Sequence, residues 1–153
     1  MPCIMCEFVK NASKDPYLVA ELETGVVGLG WFQHFRGFTL FVCKDHVTEL
    51  HQLPQDIKMK FLEETALTAE AVFNVFKPEK MNYELLGNSE PHLHWLLYPR
   101  VSGDTPMKGP EWYLPKEEMY DEKNRPTAKD LFEMTGRLRT EIERLLGENR
   151  KQR

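Results

Sequence analysis

The sequence predicts an α+β fold, and three observations lead there. Five segments rich in strand-forming residues, 17–23, 26–29, 38–43, 81–86 and 91–100, are separated by turn signals built on Gly, Asn and Pro. Between the third and fourth, the run from Pro54 to Phe76 repeats its apolar residues at three- and four-residue steps, the period of a long helix. A second helical period follows Thr127. At 153 residues the chain suits one domain with its own core. The expected division is a single domain over 1–153, with a core over 1–105 and a C-terminal extension over 106–153 whose helix spans 127–146.

Residues 1–16 read as a loop whose informative feature is Cys3-Ile4-Met5-Cys6. Tyr17 to Glu23 is a first strand; Thr24-Gly25 turns it into Val26-Val27-Gly28-Leu29, giving a hairpin. Trp31 to Gly37 is an aromatic loop interspersed with Gln33, His34 and Arg36, and its rings either cradle a base or fill core. Phe38 to Cys43 is a third strand. Pro54 opens the long helix, with Ile57, Phe61, Leu62, Ala66, Ala69, Val72, Phe73 and Phe76 on one face, and Lys77-Pro78 stops it. Met81 to Leu86 is the fourth strand, turned by Gly87-Asn88-Ser89-Glu90 into an antiparallel fifth. Val101 to Pro126 is expected to be irregular, anchored by Trp112, Tyr113 and Met119. Thr127 with Asp130 resembles a capping box, and Leu131, Met134, Leu138, Ile142 and Leu145 continue at helical spacing to Gly147, after which the chain should fray.

The net charge of −4, with 41% hydrophobic and 29% charged residues, argues against a broad polyanion-binding surface, so no nucleic acid is expected as a partner. No apolar run approaches the ~20 residues of a membrane helix, and the first residues do not form a signal peptide, so the expected location is cytoplasmic. Three cysteines, two of them spaced C-x-x-C, fit a metal site or reduced thiols better than a secreted disulfide framework.

The fifth strand carries the chemistry. In Pro91-His92-Leu93-His94-Trp95-Leu96-Leu97-Tyr98-Pro99-Arg100, an extended backbone would put His92 and His94 on one face, roughly 6.6 Å apart, with Leu96 and Tyr98. Two imidazoles on a buried strand are costly to desolvate without partners. The pair therefore asks for a ligand.

Asn82-Tyr83-Glu84-Leu85-Leu86-Gly87-Asn88-Ser89-Glu90-Pro91-His92-Leu93-His94-Trp95, followed by Pro99-Arg100, resembles the signature of the histidine-triad (HIT) superfamily of nucleotide hydrolases and transferases. Phe35 to Leu50 is similar to the segment before the long helix in bacterial members. The resemblance covers residues 1 to 105 and implies a HIT-like fold: an antiparallel sheet of about five strands with helices, often paired into a homodimer across the long helix. It further implies that His94 attacks the α-phosphorus of a purine nucleotide or nucleoside polyphosphate, forming a nucleotidyl-histidine that water hydrolyses. Asn88 and Ser89 match the polar pair that holds phosphate oxygens. Asn82, Gln33 and the Trp31-Phe32 pair match the ribose and base end. In the zinc-containing branches the metal ligands resemble Cys3, Cys6, His46 and His92, a closed structural set that leaves His94 free.

The chain departs from the family pattern at the third histidine, where Leu96 stands. If the lost contact behaves like one removed oxyanion donor, rates fall roughly 100- to 1,000-fold. The expected activity is therefore nucleotide hydrolysis or nucleotidyl transfer at a phosphoanhydride or phosphoramidate, at reduced rate; the alternative is a nucleotide-binding or sensing protein without efficient catalysis.

Overall fold

The computed structural model describes residues 2–152. Five strands, β1 (Leu18–Glu21), β2 (Gly25–Leu29), β3 (Thr39–Cys43), β4 (Lys80–Glu84) and β5 (His94–Arg100), form one antiparallel sheet in the order β1-β2-β3-β5-β4. The expected α+β class and all five strands are present. A short helix, α1 (Ile4–Asn11), precedes β1, the long helix α2 (Gln55–Phe76) links β3 to β4, and α4 (Ala128–Lys151) ends the described chain, after a four-residue helix, α3 (Lys116–Met119).

Both long helices lie on one face of the sheet. Phe41 and Leu97 point into this core with Phe61 and Val72 of α2 and with Leu138 and Ile142 of α4. The buried surface of α2 is wider than its apolar stripe, because α2 packs against both the sheet and α4 and so also buries Glu64, Thr65 and Thr68. Each polar group is satisfied. The two threonine hydroxyls donate to carbonyls four residues back, and the Glu64 carboxylate accepts the backbone N–H groups of Glu23 and Thr24 at 2.9 Å, fixing the β1–β2 turn. Lys77 adopts the left-handed conformation that ends α2.

Four local expectations are corrected. Residues 4–11 are helical, not loop. The Cys3 sulfur caps this helix by accepting from the Cys6 N–H, and eight residues are too few to reveal a period. The sheet ladder of β5 starts at His94. His92 lies before it, with its N–H turned back to the Glu90 carbonyl, so the two histidines do not share a strand face. The C-terminal helix runs past Gly147 to Lys151, supported by the Arg144–Glu141 and Arg144–Glu148 pairs and by basic residues in its last turn. Residues 101–126 are mostly irregular as expected, apart from α3 and two single turns, but Trp112 and Tyr113 are exposed, and Leu114 joins the expected Met119 as an anchor.

The contacts of α4 explain how the extension is held. Arg139 donates to the carbonyls of Leu18 and Val19 on edge strand β1, Arg137 to the Val75 carbonyl near the end of α2, and Arg36 forms a bidentate pair with Asp130 in the first turn of α4. Among the described residues no helix is long and apolar enough to cross a membrane.

Candidate functional site

The face of the sheet opposite α2 and α4 carries the candidate chemistry. Cross-strand register sets out its side chains in rows: Val26, Val42 and His94 in one, and Gly28, Leu40, Leu96 and Glu84 in the next. Tyr98 and Asn82 form a pair further along.

Cys3, Cys6, His46 and His92 converge at the end of β5, all four donor atoms lying within 4.8 Å of one another. The Cys3 Sγ–His92 Nδ1 separation is 3.4 Å, Cys6 Sγ–His46 Nδ1 3.1 Å, Cys6 Sγ–His92 Nδ1 3.5 Å and His46 Nδ1–His92 Nδ1 3.1 Å. Bonds of about 2.3 Å to sulfur and about 2.0 Å to nitrogen place tetrahedral ligands roughly 3.3 to 3.8 Å apart, so the donors are spaced and typed for a closed zinc site. The His92 Nε2–H donates to the Cys43 carbonyl at 2.7 Å, which leaves Nδ1 unprotonated toward the cluster. Burial holds the His92 imidazole below its ordinary pKa and favours the neutral, ligating form. Chain sections far apart in sequence meet here: the cap of α1, the loop after β3 and the turn into β5.

His94 faces the other way. It is 7% exposed, and its Nδ1–H donates to the His92 carbonyl at 2.5 Å. That bond fixes the tautomer and leaves Nε2 with a lone pair and no partner among the described residues. Asn88 and Ser89 are exposed in the turn just before His92, and their side chains make no hydrogen bond among the described residues.

Further along the same face of β5, starting two residues from His94 at Leu96, lies an apolar cavity of about 650 Å³, which His94 itself does not line. Its floor is Gly28, Leu40, Leu96 and Tyr98, and its walls are the Trp31–Phe32 loop, Met119 and α1. A glycine at 28 is required because the Phe8 ring of α1 occupies the space of a side chain there; a Cβ would lie 2.6 Å from Phe8 Cζ. Phe32 lines the cavity, in edge contact with Tyr120 and under the Arg125 guanidinium. Gln33 is committed to the loop itself: its amide donates to the Gly30 and Phe38 carbonyls and accepts from the Gly37 N–H. His34 likewise anchors the loop, through a 2.7 Å bond to the Asp104 carbonyl.

Asn82 lies on the far side of Tyr98, accepts from Arg100 Nη1 at 2.8 Å, and lines a second cavity of about 890 Å³ along β4. The Arg100 guanidinium is locked by Asp104 through Nε and Nη2, at 2.8 and 2.7 Å. Burial opposes ionisation of Asp104, but these bonds outweigh it and hold the carboxyl below its usual range. Glu84, on the same face, meets Glu111 from the crossing segment; burial and then the neighbouring carboxyl push Glu84 up to about 8. The sequence offered no signal for this pair, since Glu111 lies 27 positions away in an irregular segment. The lining role of α1 was equally hidden.

A HIT domain matches residues 14–102. A comparison with curated proteins gives no match. Among solved structures, a histidine triad protein from Bradyrhizobium japonicum is similar at a TM-score of 0.73 and 20% identity, over 86% of this chain and 94% of that one. A histidine triad protein from Marinobacter aquaeolei gives 0.71 and 23%, over 89% and 95%. A zinc-bound histidine triad family protein from Mycobacterium smegmatis gives 0.69 and 19%, over 97% and 98%. The match spans all five strands and the long helix, and the chain belongs to the HIT family.

Proposed function

We propose that the protein is a nucleotide hydrolase or nucleotidyl transferase of the bacterial HIT type, with His94 as nucleophile. The observation that carries the reading is the His94 tautomer: Nδ1–H is held by the His92 carbonyl and Nε2 is free, on the strand face where Leu96 and Tyr98 floor a cavity of nucleoside size with an aromatic rim. In this reading a purine base enters the apolar cavity against Phe32 and Trp31, and Asn88 and Ser89 donate to α-phosphate oxygens. Nε2 attacks the α-phosphorus, and the His92 carbonyl stabilises the charge that develops on the imidazole. Water then releases the nucleotide. Of the ribose and base carry-overs, Phe32 keeps its role, whereas the bonds of Gln33 favour loop support and those of Asn82 favour Arg100 as partner.

Cys3, Cys6, His46 and His92 would hold zinc. A closed four-ligand site supplies structural cross-linking of the N-terminus to the sheet and no open position for substrate. The family's homodimer pairing across the long helix and a cytoplasmic location belong to the same reading.

A second reading is favoured by one observation. Leu96 packs with Tyr98, Phe35 and Leu114, so no polar group stands where the family's third histidine would. On this reading the protein binds nucleotide without efficient turnover. Both are tested by mixing the protein with adenosine phosphoramidate or a dinucleoside polyphosphate. Turnover lost in His94→Ala, with an adduct of nucleotide mass on the wild-type protein, supports the hydrolase. Saturable AMP binding with neither adduct nor turnover supports the sensor, and equal turnover by both proteins refutes His94 as nucleophile.

A further inference from the structure

The row Gly28, Leu40, Leu96, Glu84 places Glu84 immediately beyond Leu96, on the side away from the apolar cavity. Glu84 and His94 are diagonal cross-strand neighbours, a relation that spans about 7 to 8 Å and lies within reach of long side chains. Glu84 is 8% exposed and sits in the wall of the 890 Å³ cavity, and Glu111, 7% exposed, meets it from the crossing segment. In each, the Oε2 atom is buried and lacks a partner when both groups are ionised. Two carboxylates in contact do not both keep their charge at rest, so the resting pair holds a proton.

We propose that the Glu84–Glu111 pair is the proton donor to the leaving group in the His94 reaction, in place of the polar side chain missing at Leu96. The inference rests on the nucleotidyl-transfer reading above and adds a residue to it. The groups facing the pair are Arg100, Tyr98 and Asn82 on neighbouring positions of β5 and β4; Arg100 is held by Asp104 and Tyr98 is a neutral phenol, so neither removes the proton. Burial and the carboxyl contact keep Glu84 protonated through neutral pH.

The steps balance. The Nε2 lone pair of His94 forms the bond to the α-phosphorus, the bond from phosphorus to the leaving atom breaks with its electron pair going to that atom, and the proton of the pair moves there. The pair is then doubly ionised. In the second step water attacks phosphorus, its proton returns to the pair, and the phosphorus–nitrogen bond breaks with its electrons returning to Nε2. Nucleotide is released and the pair is recharged.

The test compares two probes. The nitrogen of adenosine phosphoramidate needs a proton to leave, and the nitrophenolate of AMP p-nitrophenyl ester does not. Glu84→Gln should lower kcat on the phosphoramidate about 100-fold and leave the nitrophenyl ester within about threefold. Wild-type turnover of the phosphoramidate should fall above pH 8 or so, and that limb should be absent with the nitrophenyl ester. Glu111→Gln is the second variant and should show the same split. Thermal unfolding confirms that each variant is folded. Equal losses on both probes, or no loss on either, overturn the proposal while leaving His94 in place. No His94-dependent turnover of either probe overturns the underlying reading, and this inference falls with it.

Discussion

With zinc held by Cys3, Cys6, His46 and His92 and a nucleotide in the apolar cavity, as proposed, removing the metal is expected to weaken nucleotide binding, although none of these residues lines that cavity. The link is α1. This helix buries none of its own residues, and it is tied to the body through the cluster, a 2.9 Å bond from the Ile4 N–H to Glu90, and Phe8 resting on Gly28. Eight residues form a helix too short to persist alone, since isolated helices below about 12 to 15 residues are marginal in water. Ile4, Met5 and Phe8 form part of the cavity wall. Full burial of one large apolar side chain contributes about 1.5 to 3 kcal/mol, and a wall presents only part of each side chain, so losing it costs about 1 to 3 kcal/mol of binding. That corresponds to roughly 5- to 150-fold weaker AMP binding. The assay is an AMP titration, followed by the fluorescence of the exposed Trp31 at the cavity rim, of zinc-loaded protein, chelated protein and Cys6→Ala. Linkage requires that AMP tighten zinc by the same factor. Unchanged AMP affinity in folded, metal-free protein refutes the reasoning.

Two further outcomes are expected. The stability of the wild-type protein should fall as pH rises from the ordinary glutamate value of 4.5 to about 8, and then level off, because the unfolded chain ionises Glu84 over that interval and the folded chain does not. Below 4.5 both states hold the proton and the effect vanishes, so Glu84→Gln should be the more stable protein at neutral and alkaline pH but not at pH 4, as read by urea unfolding across the range. Leu96→His should raise turnover of adenosine phosphoramidate roughly 10- to 100-fold by restoring a donor, and lower Tm because an imidazole replaces an apolar side chain against Tyr98 and Leu114; an unchanged rate in a folded variant would count against a phosphate contact at this position.

The strands were legible because each combines strand-forming residues with a clear stop, and α2 because Phe61, Ala69 and Val72 repeat at helical spacing over 22 residues. The same reasoning misplaced His92. An alternating pattern places His92 and His94 on one face only if the backbone is extended through both, and the turn at Glu90–His92 breaks that condition. It also left α1 as loop, since a helix fixed by a sulfur cap and distant partners carries too little periodicity to be read.

The sequence by itself determined the family segment, the five strands and the long helix, because these depend on local periodicity and on residues close together in the chain. Through resemblance it also named His94 as a candidate nucleophile and four candidate metal donors. Only the tertiary structure decided that those donors come within one coordination distance, that Nε2 of His94 is the free nitrogen, and that Gln33 supports a loop. It alone brought Glu111 onto Glu84 beside Leu96. Such meetings depend on the register of β3, β5 and β4 and on the path of residues 106–126 across the sheet, and no local rule encodes a contact between residues so far apart.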